Sequence, residues 1–392
     1  MILVERHQIQ STPQIIELCR ASKELYNKCN YHMRKQWFHN LQTEDWSVPL
    51  PDISVLKKLV FNEPSFKNLH NTKTATQTVR KCLSDWSNFR KALKAFNKNP
   101  TGFEKKPRPP FYKKRLAQVI FYNETIKKKP LKQGIITPTN HCFSIKSNRQ
   151  FKQVVITPKR FGFVVDVQYE QESPHKVKGN GVCCIDIGLN NLAAITSDQF
   201  SPILVNGRIL KSINQWFNKH KSKKTGTKRY WRIENYFHHV SKFIIDLCLK
   251  HNCGTIIIGK NDGWKQKMNL GKKTNQNFQY IPFYNLMQKI KYKAELVGVK
   301  IIFTEESYTS KASFLDRDEL PVYEQGVSHK FKFSGKRVKR GLYKSSTKPI
   351  HADVNGSLNI GRKVIGNKVY ETFSDRSIAA MPVRVNPLKT FA

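Results

Sequence analysis

GVCCIDIGLNNLAAITS, residues 181 to 197, decides how the fold is read. Its first half is an apolar run that carries one acid, Asp186, next to its end. Gly188, Asn190 and Asn191 then supply turn chemistry, and a second apolar run, LAAITS, follows at once. A third, SPILVNG, comes a few residues later. Three apolar runs joined by short turns predict a meander of three strands. Downstream the period changes. Ile233, Phe237, Val240, Ile244 and Leu247 fall at spacings of three and four, the mark of an amphipathic helix. Asn252 and Gly254 terminate it. TIIIG (255–259) is the next buried strand. A helix carrying Phe283, Met287, Ile290, Ala294 and Val297 follows, Gly298 ends it, and VKIIFT (299–304) is a further strand.

Three strands, then helix, strand, helix, strand is the order of a ribonuclease H-like α/β domain, whose alternating part is expected to be parallel with right-handed crossovers. A generic doubly wound fold is the alternative, and the opening meander argues against it. Upstream lie a short strand (ILVERHQI) and two helical stretches. One is striped by Ile16, Cys19, Leu25, Cys29 and Met33, the other by Val79, Cys82, Trp86, Phe89 and Leu93. A loop with Pro49, Pro51 and Pro64 separates them. Strand-like runs then follow (QVIFYN, GIITP, CFSI, QVVITP, FGFVVDVQYE), which predict a small antiparallel barrel or sheet interrupted by the helical lobe.

The chain has 392 residues, enough for two or three domains, and a net charge of +41. So large an excess repels itself unless a polyanion neutralises it, and nucleic acid is the expected partner. The first residues carry no signal pattern, and no apolar run approaches the length of a membrane span. None of the eight cysteines forms a CxxC pair, and none lies beyond Cys253. Reduced thiols in an intracellular, non-secreted protein are therefore expected, in the cytoplasm and at the nucleoid if the host is prokaryotic.

In a chain this basic, acids at strand ends stand out. Asp186 ends the first core strand, and ligands gather at the carboxyl ends of strands in open α/β sheets. Asp353 opens a final helix in HADVNGSLNI, where a helix N-cap is the plainer reading. Glu305 and Glu306 end the last strand in KIIFTEESYTSK (300–311). Converging carboxylates suit Mg²⁺, a hard ion that takes oxygen ligands, and two such ions can hydrolyse a phosphodiester.

DIGLNNLAAI, SYTSKASFLD and DVNGSLNI resemble, in order, the three segments of the split RuvC nuclease domain of TnpB proteins. These are transposon-encoded, RNA-guided DNA nucleases related to Fanzor and to compact type V CRISPR effectors. SKELYNKCNYHMRK and KPRPPFYKKR resemble that family's recognition and wedge parts. The resemblance implies a wedge-like β domain or barrel over 1–12 and 104–178, and a helical recognition lobe over 13–103. It further implies a RuvC-like nuclease domain over 179–311 and 349–366, a target-nucleation-like insertion over 312–348, and a C-terminal tail over 367–392. It implies Mg²⁺, with Mn²⁺ as a substitute, held by Asp186, Glu306 and Asp353. A guide RNA and target DNA are the implied partners, with no membrane, in a monomeric ribonucleoprotein or alternatively a dimer.

The sequence departs from the family twice. The usual glutamate falls where Gly259 stands, and glycine offers no side-chain ligand. The resemblance implies that an alternative glutamate one helix and strand later takes its role, Glu306 by the family spacing E-x-Y-T-S-K, with Glu305 as the alternative and Asp262 as the fallback. The four-cysteine zinc site is also missing: residues 312–352 contain no cysteine, and His329 and His351 alone cannot make a tetrahedral site. No zinc is expected.

Three basic clusters with interleaved aromatics predict phosphate contacts and base stacking. They are EKKPRPPFYKKR with Lys113, Lys114 and Arg115; NKHKSKKTGTKRYWR with Lys223, Lys224 and Arg229; and HKFKFSGKRVKRGLYK with Lys336, Arg337, Lys339 and Arg340. Lys311 is a further candidate. The polar stretch 264–282 reads as a strand-contacting lid. The expected function is RNA-guided cleavage of DNA beside a short flanking motif. Its rivals are a nuclease-dead guided repressor, motivated by Gly259, and a nucleic-acid-binding accessory of transposition.

Overall fold

The structure is a computed structural model that describes residues 1–159, 162–172, 179–260, 281–322, 331–367 and 381–389. Asp262, His329, nearly all of the 264–282 stretch and the side chain of Lys223 lie outside the described residues. The chain divides into two compact units, Met1–Gln171 and Glu172–Ala392.

The first unit opens with β1 (Ile2–Ile9) and the long helix α1 (Pro13–Thr43). Pro13 sits in the first turn of α1, where a missing N–H costs nothing, and Thr12 Oγ1 accepts from Ile15 N at 3.3 Å. Short helices α2 (Ile53–Val60) and α3 (Pro64–Lys67) lead to α4 (Thr72–Lys98). Cys19, Leu25, Cys29 and Met33 of α1 are buried with Val79, Cys82, Trp86 and Phe89 of α4, as the stripes predict. Ile16 and Leu93 are only partly covered. Trp86 Nε1 donates to Asn30 Oδ1 at 2.8 Å, which satisfies both polar groups inside the core.

The strands that follow are β2 (Val119–Tyr122), then, after α5 (Lys128–Lys132), β3 (Ile135–Ile136), β4 (Ile145–Lys146), β5 (Phe151–Lys159) and β6 (Gly162–Glu170). They form an antiparallel sheet in the order β1-β6-β5-β2, with β3 and β4 as a separate hairpin. Among the described residues this sheet is open, ending at β1 and β2, and no pairing closes it into a barrel.

The second unit carries β7 (Gly181–Ile187), β8 (Asn191–Ser197) and β9 (Ile203–Asn206), then α6 (Arg208–Lys219) and α7 (Lys223–Lys250). Next come β10 (Cys253–Gly259), α8 (Phe283–Leu296) and β11 (Lys300–Thr304). A small sheet of β12 (Lys336–Lys339), β13 (Leu342–Lys344) and β14 (Pro349–His351) precedes α9 (Ala352–Ile365). The main sheet runs β11-β10-β7-β8-β9-β15, where β15 is Val383–Val385. The first three strands are antiparallel, and β10 and β11 are parallel to β7 and to each other.

Two features differ from the expectation. Most of the basic cluster 218–232 is helix, because α7 starts at Lys223 on a capping box of Ser222 and Thr225. Within the expected tail, Val383–Val385 adds a parallel edge strand to β9. Three residues are too short for a period-two signal, so sequence patterning passes over them.

Alternation along β7 sorts the two faces of the sheet. Cys183, Ile185 and Ile187 pack into the core that includes Phe237, Ile244 and Ile290 of α7 and α8. Cys184 packs on the opposite face with Ile257 and Ile360 of α9. Asp186, two residues on, shares that face. No helix among the described residues is long and apolar enough to cross a membrane.

Candidate active site

Three elements bring acids to one end of the main sheet. Asp186 lies near the end of β7, opposite Ala194 of β8. Helix α9 crosses its face so closely that a side chain at Gly356 would put its Cβ 2.7 Å from Asp186 Oδ2. Glycine there lets helix and carboxylate share the space. The α9 helix is pinned by Ser357 Oγ, which donates to Cys184 O at 2.9 Å, and by Asn355, which accepts from Phe314 N and donates to Ala312 O.

Glu306 arrives from the neighbouring strand. Gly259 pairs with Thr304 at the parallel ends of β10 and β11, and Glu306 stands two residues further on. A Cβ built on Gly259 would lie 2.8 Å from Glu306 Oε2. The carboxylate of Glu306 therefore fills the volume that a side chain at position 259 would need. Glu305 faces elsewhere. Its Oε1 accepts from the buried amine of Lys363 on α9, and its Oε2 accepts from Ser307 N at 2.8 Å. Of the two glutamates that the sequence leaves open, the structure brings Glu306 to Asp186 and ties Glu305 to Lys363.

Asp353 sits in the first turn of α9, but the cap is another residue: His351 Nδ1 accepts from Asp353 N at 3.3 Å. The Asp353 carboxylate is thereby left for other partners. Asn191 Nδ2 donates to Oδ2 at 2.7 Å, and Arg337 Nη2 donates to Oδ1 at 3.0 Å.

The electrostatics follow from this crowding. Burial, then the charges of Glu306 and Asp353, push the Asp186 carboxyl up to about 8, against a smaller opposing pull from Arg337. Burial pushes Glu306 up to about 7. A buried carboxyl raised by two neighbouring acids is a place where a cation would be stabilised. The donor set fits a hard divalent ion in kind, since all three are carboxylates. Among the described residues no three acid, His or Cys side chains are already drawn together tightly enough to grip one ion. Asp353 has both oxygens on protein donors.

The basic candidates divide. Lys114, Arg115, Lys224, Lys311, Lys336, Lys339 and Arg340 are exposed. Three others have partners within the protein. Lys113 Nζ sits 3.5 Å from the centroid of the Tyr26 ring, where burial lowers its pKa. Arg229 Nε donates to Asn214 Oδ1 at 2.6 Å and stacks on Phe217. Arg337 is on Asp353. Asn191 and Lys363 were not singled out in the sequence. Asn191 stands in the DIGLNN turn that carries Asp186, a signal that was available; Lys363 had none.

Comparisons with known proteins find the following similarities. Residues 283–360 match the family model described as Cas12f1-like, TNB domain. The chain is 38% identical over 74 residues to the CRISPR-associated endodeoxyribonuclease Cas12f1 of Sulfoacidibacillus thermotolerans, a match that covers 19% of this chain and 16% of that protein. It is 23% identical over 261 residues to the TnpB-like protein ORF457 of Acidianus two-tailed virus, covering 59% of this chain and 52% of that one. The matches thus span at most about half the length of these curated relatives. A solved Cas12f1–sgRNA–target DNA complex aligns over 89% of this chain and 83% of its own, at 15% identity and a TM-score of 0.49. A CRISPR–Cas12f ternary complex aligns over 88% and 80%, at 12% identity and a TM-score of 0.32.

Proposed function

We infer that this chain, a member of a TnpB/Cas12f-type family, works as an RNA-guided DNA endonuclease. One observation carries the reading: the Glu306 carboxylate occupies the volume that a side chain at Gly259 would need and, with Asp353, bears on the buried Asp186 carboxyl. The sheet order supports a ribonuclease H-like nuclease domain. Asp186, Glu306 and Asp353 would hold magnesium. Two such ions, if bound, would supply chemistry that activates water and stabilises charge on the phosphodiester oxygens.

The chain's own residues do the rest. Asp186 and Glu306 hold protons in the metal-free site and must release them for metal to bind. Arg337 keeps positive charge on Asp353 and stands where a phosphate approaching that carboxylate would meet it. The exposed lysines and arginines neutralise backbone phosphates, while base pairing with a guide RNA supplies sequence. We assign the wedge, recognition and target-nucleation roles to the segments named in the sequence, and a transposon as the encoding element.

The Arg337–Asp353 pair favours one second reading, a guided binder that does not cut. One experiment separates the readings. The chain is purified from its host, co-purified RNA is sequenced, and the complex is given matched DNA with and without Mg²⁺. A discrete RNA with Mg²⁺-dependent cleavage supports the nuclease. Guided binding without cleavage supports the second reading, and fully active protein free of RNA refutes both.

A further inference from the structure

The edge strand β15 belongs to a stretch that sequence patterning passes over, yet its register puts Arg384 in line with the acidic site. Arg384 pairs with Leu204 of β9, Leu204 with Ala194 of β8, and Ala194 with Asp186 of β7. Residues paired across neighbouring strands point to the same face. Arg384 therefore stands on the face that Asp186 shares with α9. Ala194 and Leu204, the two residues between them, pack there against Val354 and Leu358 of α9. Three strand spacings of about 4.8 Å each separate the ends of this row, too far for Arg384 to reach Asp186 itself.

Arg384 reaches Asn191 instead. Its Nη1 donates to Asn191 Oδ1 at 3.2 Å, and Asn191 Nδ2 donates to Asp353 Oδ2 at 2.7 Å. A side-chain amide has one accepting end and one donating end, and a half-turn of its plane exchanges them. With a guanidinium on its oxygen, the Asn191 amide is held with its NH₂ toward Asp353. The sheet alone does not fix that side chain: the ladder between β8 and β9 shifts register just after Asn191, an irregularity of the kind that re-aims side chains. The Asp353 carboxylate is thus held from two sides, by Asn191 on Oδ2 and by Arg337 on Oδ1 at 3.0 Å. A carboxylate oxygen has about two acceptor positions, so one donor on each leaves room for a cation. Arg384 is itself exposed, and surface side chains contribute little to stability. What its bond supplies is orientation.

We propose that Arg384 is a positioning residue of the acidic site, acting through Asn191 to set the orientation in which the Asp353 carboxylate meets a divalent cation. The role rests on the reading of that site as a metal centre. Removing a group that hydrogen-bonds a metal ligand costs about 10–100-fold in metal affinity or activity, and Arg384 stands one bond further out.

The test is a double-mutant cycle on the full chain freed of nucleic acid, with Mn²⁺ as the probe. Free Mn²⁺ is followed by electron paramagnetic resonance, and the binding counted is the part that Asp186→Ala loses. Asn191→Ala should weaken that binding about tenfold or more, and Arg384→Ala about threefold to fivefold. The double variant should bind no more weakly than Asn191→Ala alone, because the two act in series. The sign of the change is itself informative. Removing a positive charge near a cation site would by charge alone tighten binding, so weaker binding in Arg384→Ala reports orientation. Metal-free Arg384→Ala should melt within about two degrees of wild type, as a surface substitution does. Should Asn191→Ala not fold, Asn191→Ser takes its place in the cycle. Unchanged or tighter Mn²⁺ binding in Arg384→Ala, or losses that add in full in the double variant, overturns the proposal. So does a large fall in the melting temperature of metal-free Arg384→Ala, which would make β15 a structural strand only. Wild-type chain that binds no Mn²⁺ refutes the metal reading of the site and this role with it, whereas wild-type affinity in Arg384→Ala refutes the role alone.

Discussion

A single methyl group at position 259 tests whether Glu306 is held where the reading needs it. In Gly259→Ala the new Cβ would lie 2.8 Å from Glu306 Oε2, and 2.6 Å and 3.1 Å from Cδ1 and Cγ1 of Ile360. Ordinary carbon contacts begin near 3.5 Å, so the carboxylate must retreat by roughly half an ångström or more. Ile360 is fully buried against Cys184 and Ile257, so it yields less readily than the tip of a glutamate. Overpacking of this kind costs about 1–3 kcal/mol, here toward the low end because the glutamate can swing. The effect on chemistry is larger, since misplacing a reacting group by about 1 Å can cost on the order of a hundredfold. Gly259→Ala should therefore melt within a few degrees of wild type, bind RNA normally and cleave matched DNA about two orders of magnitude more slowly. A second arm moves the carboxylate back. Gly259→Glu combined with Glu306→Ala supplies it from β10, about 4.8 Å from β11, and should cut faster than either single variant. Gly259→Ala cutting at the wild-type rate would refute the shared-volume argument, whatever the double variant does.

Glu306→Gln should remove cleavage by orders of magnitude, because glutamine keeps the shape and loses the charge that a hard ion requires. Glu305→Gln should instead act mainly on stability, since it strips the buried amine of Lys363 of its counter-charge; equal effects on the cleavage rate would contradict the division of roles. Asp186→Ala should abolish cleavage and leave guided DNA binding intact in a filter or mobility assay, and parallel loss of binding would move Asp186 from chemistry to folding. With Asp186 near 8 and Glu306 near 7, the folded metal-free chain holds protons that ordinary carboxylates, near 4, have released in the unfolded chain. Its stability should fall as pH rises from about 4 through 8, and the rise in melting temperature given by Mg²⁺ should be larger at pH 8.5 than at 6.5. A magnesium effect that is flat or shrinks with pH would contradict these protonation states.

What was legible in the sequence was what periodicity and strand ends can carry. The stripes on α1 and α4 and the order of strands around Asp186 depend on local spacing, and local spacing is what burial selects. The choice between Glu305 and Glu306 was only half legible. Alternation says that adjacent residues on a strand face opposite ways, but not which way. In the structure Lys363, 58 residues further along the chain, takes Glu305 with its amine, while Glu306 packs against Gly259. The same limit explains Asp353, read as a possible helix cap. Its carboxylate is free for Arg337 and Asn191 because His351, two residues earlier, does the capping. Gly259 shows the reverse case. In the sequence it reads as the loss of a ligand, and in the structure it is the vacancy that a glutamate from the next strand fills. An absent side chain carries no charge, period or spacing of its own. Its meaning is fixed by what packs against it from β11 and α9, so the strongest argument for an intact site rests on the residue that first argued against one.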